Sequence, residues 1–257
     1  FMLESACQSL ARLARVHEDL DGLAWGRRFL AAAAVAKTRC HAWSVPPGSL
    51  AACDRLAPSE NHPLQDAAER SVVILAGSSA ADKPLEPGHE TWLLNGFEGY
   101  RGYLLSGGTA TGVGGIAGEL AKRSRGGTIA VGYLPAVRRG IRADRRYRHL
   151  VRTAGRDFSP LEPLQYWHDL LAAGVDPSAV RLVGVGGGPL AALEYRLALA
   201  LGASVGVLPS SGRAVSHLLA DPHWRGSPGL VELPDDPLAL RQWLQSGTVS
   251  PQSDATL

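Results

Sequence analysis

Arg181-Leu182-Val183-Gly184-Val185-Gly186-Gly187-Gly188-Pro189-Leu190-Ala191-Ala192-Leu193-Glu194 reads as three pieces of structure in succession. The apolar, β-branched run at 180–185 has the length of a buried strand, a glycine triplet follows, and Pro189 opens an apolar helix over 189–201. Strand, glycine turn and helix form one unit of a parallel sheet, and the unit recurs along the chain. Strands are expected at 71–76, 102–106, 128–133, 150–153, 180–185, 204–208 and 229–233. Helices are expected at 89–98, 114–123, 160–173, 189–201, 213–220 and 237–245. The alternation predicts an α/β fold, a Rossmann-like parallel sheet with helices on both faces.

Outside this region the pattern changes. Leu3, Leu10, Leu13, Val16, Leu20 and Leu23 recur mostly at three- and four-residue steps, which predicts a helical packing face within 1–40. Pro46, Pro47, Gly48, Pro58 and Pro63 then mark a connector, with one short helix expected at 50–56. The expected organisation is a helical segment and connector over 1–65, a nucleotide-binding domain over 66–247 and a polar tail over 248–257. Phe1 before Met2 and the polar tail at 250–257 leave open whether the chain is a piece of something longer.

Of 257 residues, 45% are hydrophobic and 19% charged, the balance of a globular protein that buries its own core. The apolar stretch at 29–36 is far short of the ~20 residues that cross a bilayer. No membrane segment or leader is therefore expected, and the location is read as cytoplasmic. Cys7, Cys40 and Cys53 form an odd set without a CxxC pair, so they read as plain thiols and no metal site is expected. A net charge of +2 is too small to imply nucleic acid. Arg138, Arg139, Arg142, Arg145, Arg146 and Arg148 are the one basic cluster, and its polar surroundings make it a solvated loop. Trp92, Phe97, Tyr100 and Tyr103 read as core instead of a base-stacking platform.

Ligands of an open parallel sheet sit at the carboxyl ends of its strands, and glycines concentrate there. The loops are Gly77-Ser78-Ser79; Gly107-Gly108-Thr109 with Gly112, Gly114 and Gly115; Gly186-Gly187-Gly188; and Ser210-Ser211-Gly212-Arg213. Glycine allows close backbone approach, and the helix N-terminus that follows offers N–H donors and partial positive charge. Phosphate is the natural guest. Arg213 opens a helix where a cation works against the dipole unless an anion is bound. Glu194 lies one and a half turns into an apolar helix, where it needs a ribose, a proton-transfer role or an arginine partner.

Familiar enzyme signatures are missing. GxxxxGK[ST] is absent, and Gly112-Val113-Gly114-Gly115-Ile116-Ala117 meets the dinucleotide fingerprint only loosely, without an acidic residue about 20 positions on. Gly202-Ala203-Ser204-Val205-Gly206 leads into a strand and is not a nucleophile elbow.

Leu105-Ser106-Gly107-Gly108-Thr109-Ala110-Thr111-Gly112, the run Arg181 to Glu194, and Leu208-Pro209-Ser210-Ser211-Gly212-Arg213-Ala214 resemble the SLOG superfamily. More narrowly, they look like its prokaryotic LSDAT branch, related to the N-terminal region of TRPM channels. The resemblance covers 70–245. It implies a non-catalytic sensor of a nucleotide derivative such as ADP-ribose or cyclic ADP-ribose, in a bacterial defence or signalling system. It needs no separate cofactor, and a homo-oligomer and a fused or associated effector are expected as partners. In the implied mechanism the glycine loops and Arg213 hold phosphates, Thr109, Ser210 or Ser211 add hydrogen bonds, and Glu194 fixes a ribose. The alternative is a phosphoribohydrolase or NAD-type glycohydrolase similar to the Lonely Guy enzymes, with Glu194 and Arg213 catalytic. Against their PGGxGTxxE pattern this chain keeps Gly187, Gly188 and Glu194, while Gly186, Leu190 and Ala191 replace the proline and the Gly-Thr pair.

Overall fold

The computed structural model describes residues 63–79, 85–136, 140, 142–153, 155–159, 161–222 and 224–246. The expected N-terminal helix and connector, the three cysteines and the polar tail lie outside the described residues, as do Arg138 and Arg139.

Seven strands form one sheet in which every pairing is parallel. In chain order the elements are β1 (Val72–Gly77), α1 (Pro87–Gly96), β2 (Gly102–Ser106), α2 (Gly112–Arg123), β3 (Thr128–Pro135) and β4 (His149–Thr153). The chain continues through α3 (Leu161–Ala172), β5 (Val180–Val185), α4 (Pro189–Leu201), β6 (Ser204–Val207), α5 (Ala214–Ala220), β7 (Leu230–Glu232) and α6 (Pro237–Gln245). Each strand and helix expected between residues 71 and 245 is present.

The sheet order is β4-β3-β2-β1-β5-β6-β7. β1 is buried on both faces, and its alternating side chains enter two different cores. Val72, Ile74 and Ala76 join residues of α3, α4 and α5, including Trp167, Leu197 and Val215. Val73 and Leu75 join residues of α1, α2 and α6, including Leu93, Ile116 and Leu240. Trp92, Phe97 and Tyr103 are buried in these cores. Because the strands advance outward from β1 in one direction and from β5 in the other, the chain reverses between these two central strands. The loops leaving β1 and β5 consequently depart toward opposite faces and leave a crevice between them.

Helix boundaries follow local chemistry. Proline at the first helical position opens α1, α4 and α6, where its missing N–H costs no intrahelical bond. Asp236 caps α6 by accepting the Leu238 N–H at 2.9 Å. Ser159 and Glu162 form a capping box at α3, with the Ser159 N–H donated to Glu162 Oε2 at 2.7 Å and the Leu161 N–H to Ser159 Oγ at 3.2 Å. One helix starts later than the sequence suggests. Arg213 has φ 58° and ψ −123°, outside helical geometry, so α5 begins at Ala214.

The connection from β3 to β4 is tied down by backbone bonds from Ala110 N–H to Arg142 O and from Asp144 N–H to Gly108 O, both 3.0 Å. Arg146 holds Asp144, donates to Glu119 at 2.7 Å and reaches the Gly115 carbonyl at 2.9 Å. Within the arginine cluster, this side chain is therefore part of an internal clamp. Arg142, Arg145 and Arg148 are exposed.

Candidate functional site

The crevice between β1 and β5 opens into a cavity of about 270 Å³ across the carboxyl ends of the strands. Of the residues singled out in the sequence, Gly77, Ser78, Ser79, Gly107, Gly188, Glu194 and Arg213 line it. They come from four loops and one helix, brought together by the sheet order.

Two glycines there are required by backbone approach. A Cβ on Gly77 would stand 2.1 Å from the Val185 carbonyl oxygen, and one on Gly187 would stand 2.3 Å from the Ala191 Cβ. This closeness allows Ser78 to work as a hub: its N–H donates to Val185 O at 3.1 Å, and its hydroxyl oxygen accepts the Gly187 N–H at 3.1 Å. Ser211 Oγ accepts the Gly186 N–H at 2.8 Å. Gly186 and Gly187 thus have their amide donors engaged by serine hydroxyls and stand behind the cavity wall. Gly212 shapes the turn before Arg213 with φ 64°, and Ser210 donates its hydroxyl to Asp235 at 2.7 Å.

The second glycine loop is divided. Gly107 faces the cavity, whereas the Thr109 hydroxyl donates to the Thr111 carbonyl at 3.1 Å. Gly108, Gly114 and Gly115 are buried, and Gly112 starts α2. Gly112 and Gly115 border a separate recess with Glu119, Arg123 and Arg146.

The anion-attracting end of the cavity is built from α4 and Arg213. The first turn of α4, Pro189 to Ala191, lines the cavity, and no side chain caps it at Gly188. A 13-residue helix whose N-terminus opens into a crevice favours negative charge there. Arg213 stands beside it, with Nη1 donating to Ser78 Oγ at 3.0 Å. Its positive φ is a conformation that L-residues rarely adopt, and such positions cluster at functional sites.

The opposite end was not legible in the sequence. Tyr133 of β3, Phe158, and Glu162, Pro163 and Tyr166 of α3 complete the wall. The Tyr166 hydroxyl donates to Glu194 Oε1 at 3.3 Å and so joins α3 to α4. Burial pushes the Glu194 carboxyl up to about 8; the Tyr166 bond pulls the other way, and the Glu162 charge adds to the rise. Glu194 is therefore protonated at neutral pH and able to donate a hydrogen bond or a proton. Burial also raises Glu162, against bonds from Thr153 and Ser159 that favour its charged form. Behind them Tyr133 donates to Asp169 Oδ2 at 2.9 Å and Gln165 Nε2 to Asp169 Oδ1 at 3.0 Å, which fixes the floor. The only local signal for Glu162 was the Ser-x-x-Glu spacing of its capping box.

Among the described residues no helix is long and apolar enough to cross a membrane. No protein-family profile matches the chain, and no curated protein matches it. Among solved structures the chain is similar to the molybdenum cofactor carrier protein from Chlamydomonas reinhardtii, at 20% identity and a TM-score of 0.49, covering 69% of this chain and 97% of that one. It is also similar to the molybdenum cofactor binding protein from Rippkaea orientalis, at 19% identity and a TM-score of 0.48, covering 69% of this chain and 96% of that one. At these identities the likeness concerns the fold alone.

Proposed function

We propose that residues 66–247 form a SLOG-type domain that binds a nucleotide derivative and acts as a sensor. The observation that carries this reading is the junction of the uncapped α4 N-terminus with Arg213 at one end of the switch-point cavity. A phosphate there meets helix-terminal N–H groups and a guanidinium, while the sugar and base extend toward Glu194, Tyr166 and Phe158. ADP-ribose and cyclic ADP-ribose forms are the ligands the sequence resemblance favours. An effector that responds to the bound state, in a bacterial defence or signalling system of the cytoplasm, completes the proposal; the ligand acts by preferring one arrangement of the protein.

A thermal-shift scan against AMP, NAD, ADP-ribose and cyclic ADP-ribose isomers tests it. A ligand at about 100 times its Kd adds ~2.7 kcal/mol, a shift of several degrees. A shift with the ligand recovered intact supports the sensor. No shift with any of them sinks it.

The protonated Glu194 beside Tyr166 favours a second reading, cleavage of an N-glycosidic bond with Glu194 in proton transfer. Release of free base that Glu194→Gln abolishes replaces the sensor with this hydrolase.

A further inference from the structure

The sheet order gives the cavity a polarity along its length. Arg213 follows β6, the α4 N-terminus follows β5, Ser78 follows β1, Gly107 follows β2, Tyr133 belongs to β3 and Phe158 follows β4. Since these strands lie side by side in the order β6-β5-β1-β2-β3-β4, Arg213 enters from the β6 side and its guanidinium reaches Ser78 beyond β1, while Tyr133 and Phe158 stand on the β3–β4 side. Both carboxyl groups of the cavity are also on the aromatic side: Glu162 belongs to α3, as Tyr166 does, and Glu194 accepts the Tyr166 hydroxyl bond. Among the described residues, Arg213 is the only lysine or arginine in the lining, and it is bonded to Ser78.

Two carboxyl groups lining the cavity with Tyr133, Phe158 and Tyr166 form an environment that favours a cation: Glu194, protonated when the cavity is empty, gives up its proton when a charged ring enters beside it. Enclosed carboxylates gain from a positive partner, and aromatic faces attract one. The Glu162 oxygens are held in place by Thr153 and Ser159, so this end is preorganised.

We propose that the cavity selects phosphorylated nucleosides whose base is positively charged, such as an N-glycosylated pyridinium, over those with a neutral base. The inference rests on the nucleotide reading above and names the ligand class within it. The phosphate occupies the Arg213 end, and the charged ring lies among the aromatic residues beside Glu162 and Glu194.

The test compares two ligands that differ in ring charge. The full chain is titrated calorimetrically at neutral pH with oxidised nicotinamide mononucleotide, whose ring is cationic, with its reduced form, whose ring is neutral, and with AMP. The oxidised form is expected to bind ~10-fold or more tightly than the reduced form. Glu162→Gln is expected to bring the ratio close to one; Glu194→Gln, which leaves the α3 cap intact but cannot ionise, is expected to lower the ratio and to abolish the proton release that accompanies binding of the oxidised form. Equal or tighter binding of the reduced form by the unmodified chain overturns the charge selectivity, and continued AMP binding keeps the nucleotide reading. Binding of none of the three overturns both.

Discussion

Arg213 and Ser78 are joined across the centre of the sheet, Nη1 to Oγ at 3.0 Å, on the same hydroxyl oxygen that accepts the Gly187 N–H. One serine therefore fixes both the cation of the cavity and the glycine loop behind it. Ser78→Ala removes both bonds and leaves a buried N–H unpaired, a loss of about 1–3 kcal/mol in urea unfolding. Its affinity for AMP should fall less than that of Arg213→Ala, which loses the charge itself. A Ser78→Ala chain as stable as the original would show that the hub is not a structural tie.

The backbone of Arg213 separates strain from charge. Arg213→Gly and Arg213→Ala both lose the guanidinium, but only glycine adopts φ 58° and ψ −123° without a Cβ penalty. Arg213→Gly should therefore be about 1 kcal/mol or more stable than Arg213→Ala, with AMP binding weakened alike in both. Equal unfolding midpoints for the two variants would remove the argument from strain.

Glu194 makes stability depend on pH. Its carboxyl titrates at about 8 in the folded chain against an ordinary 4.5. Across that window the folded chain keeps a proton that the unfolded chain has released, so its stability falls as pH rises and levels off above the folded value. Glu194→Gln removes this slope. The difference in melting temperature, variant minus unmodified chain, should grow with pH through the window, and a constant difference would return Glu194 to ordinary carboxyl behaviour.

Gly187 and Gly188 are neighbours with different demands. A methyl at Gly187 meets Ala191 at 2.3 Å on a backbone with φ 89°, whereas one at Gly188 meets nothing within 4 Å. Gly187→Ala should cost about 2 kcal/mol or more, and Gly188→Ala about 1 kcal/mol from weaker capping. Denaturant midpoints for the pair check the order, and equal midpoints would show that Gly187 is not crowded against Ala191.

The sheet was legible because each strand is a short apolar run followed by glycine or a helix signal, a local property. Even the starts of α4 and α6 follow from their opening prolines. Half of the site was legible for the same reason: Ser78, Gly188, Glu194 and Arg213 sit at strand ends or just beyond them. Tyr133, Glu162 and Tyr166 carry no such mark, since their place depends on how α3 packs beside α4. Glycine itself was ambiguous. Gly108, Gly114 and Gly115 are buried where backbone segments crowd together, against Gly132, Thr109 and Ala110 respectively, and the sequence alone does not distinguish such crowding from a phosphate cradle.

The pairing of β1 with β5 has a further consequence, for the order of folding. Val72 aligns with Val180, and Gly77 with Val185, so the central ladder joins segments more than a hundred residues apart. Contacts this distant form late, after the neighbouring strands β1 to β4 have had the chance to assemble among themselves. During synthesis, a chain halted before residue 180 presents Val72–Gly77 with one edge unpaired, a run of apolar residues without a single charge. Such an edge pairs readily with another chain, which makes the arrival of β5 the step that protects the nascent protein from aggregation.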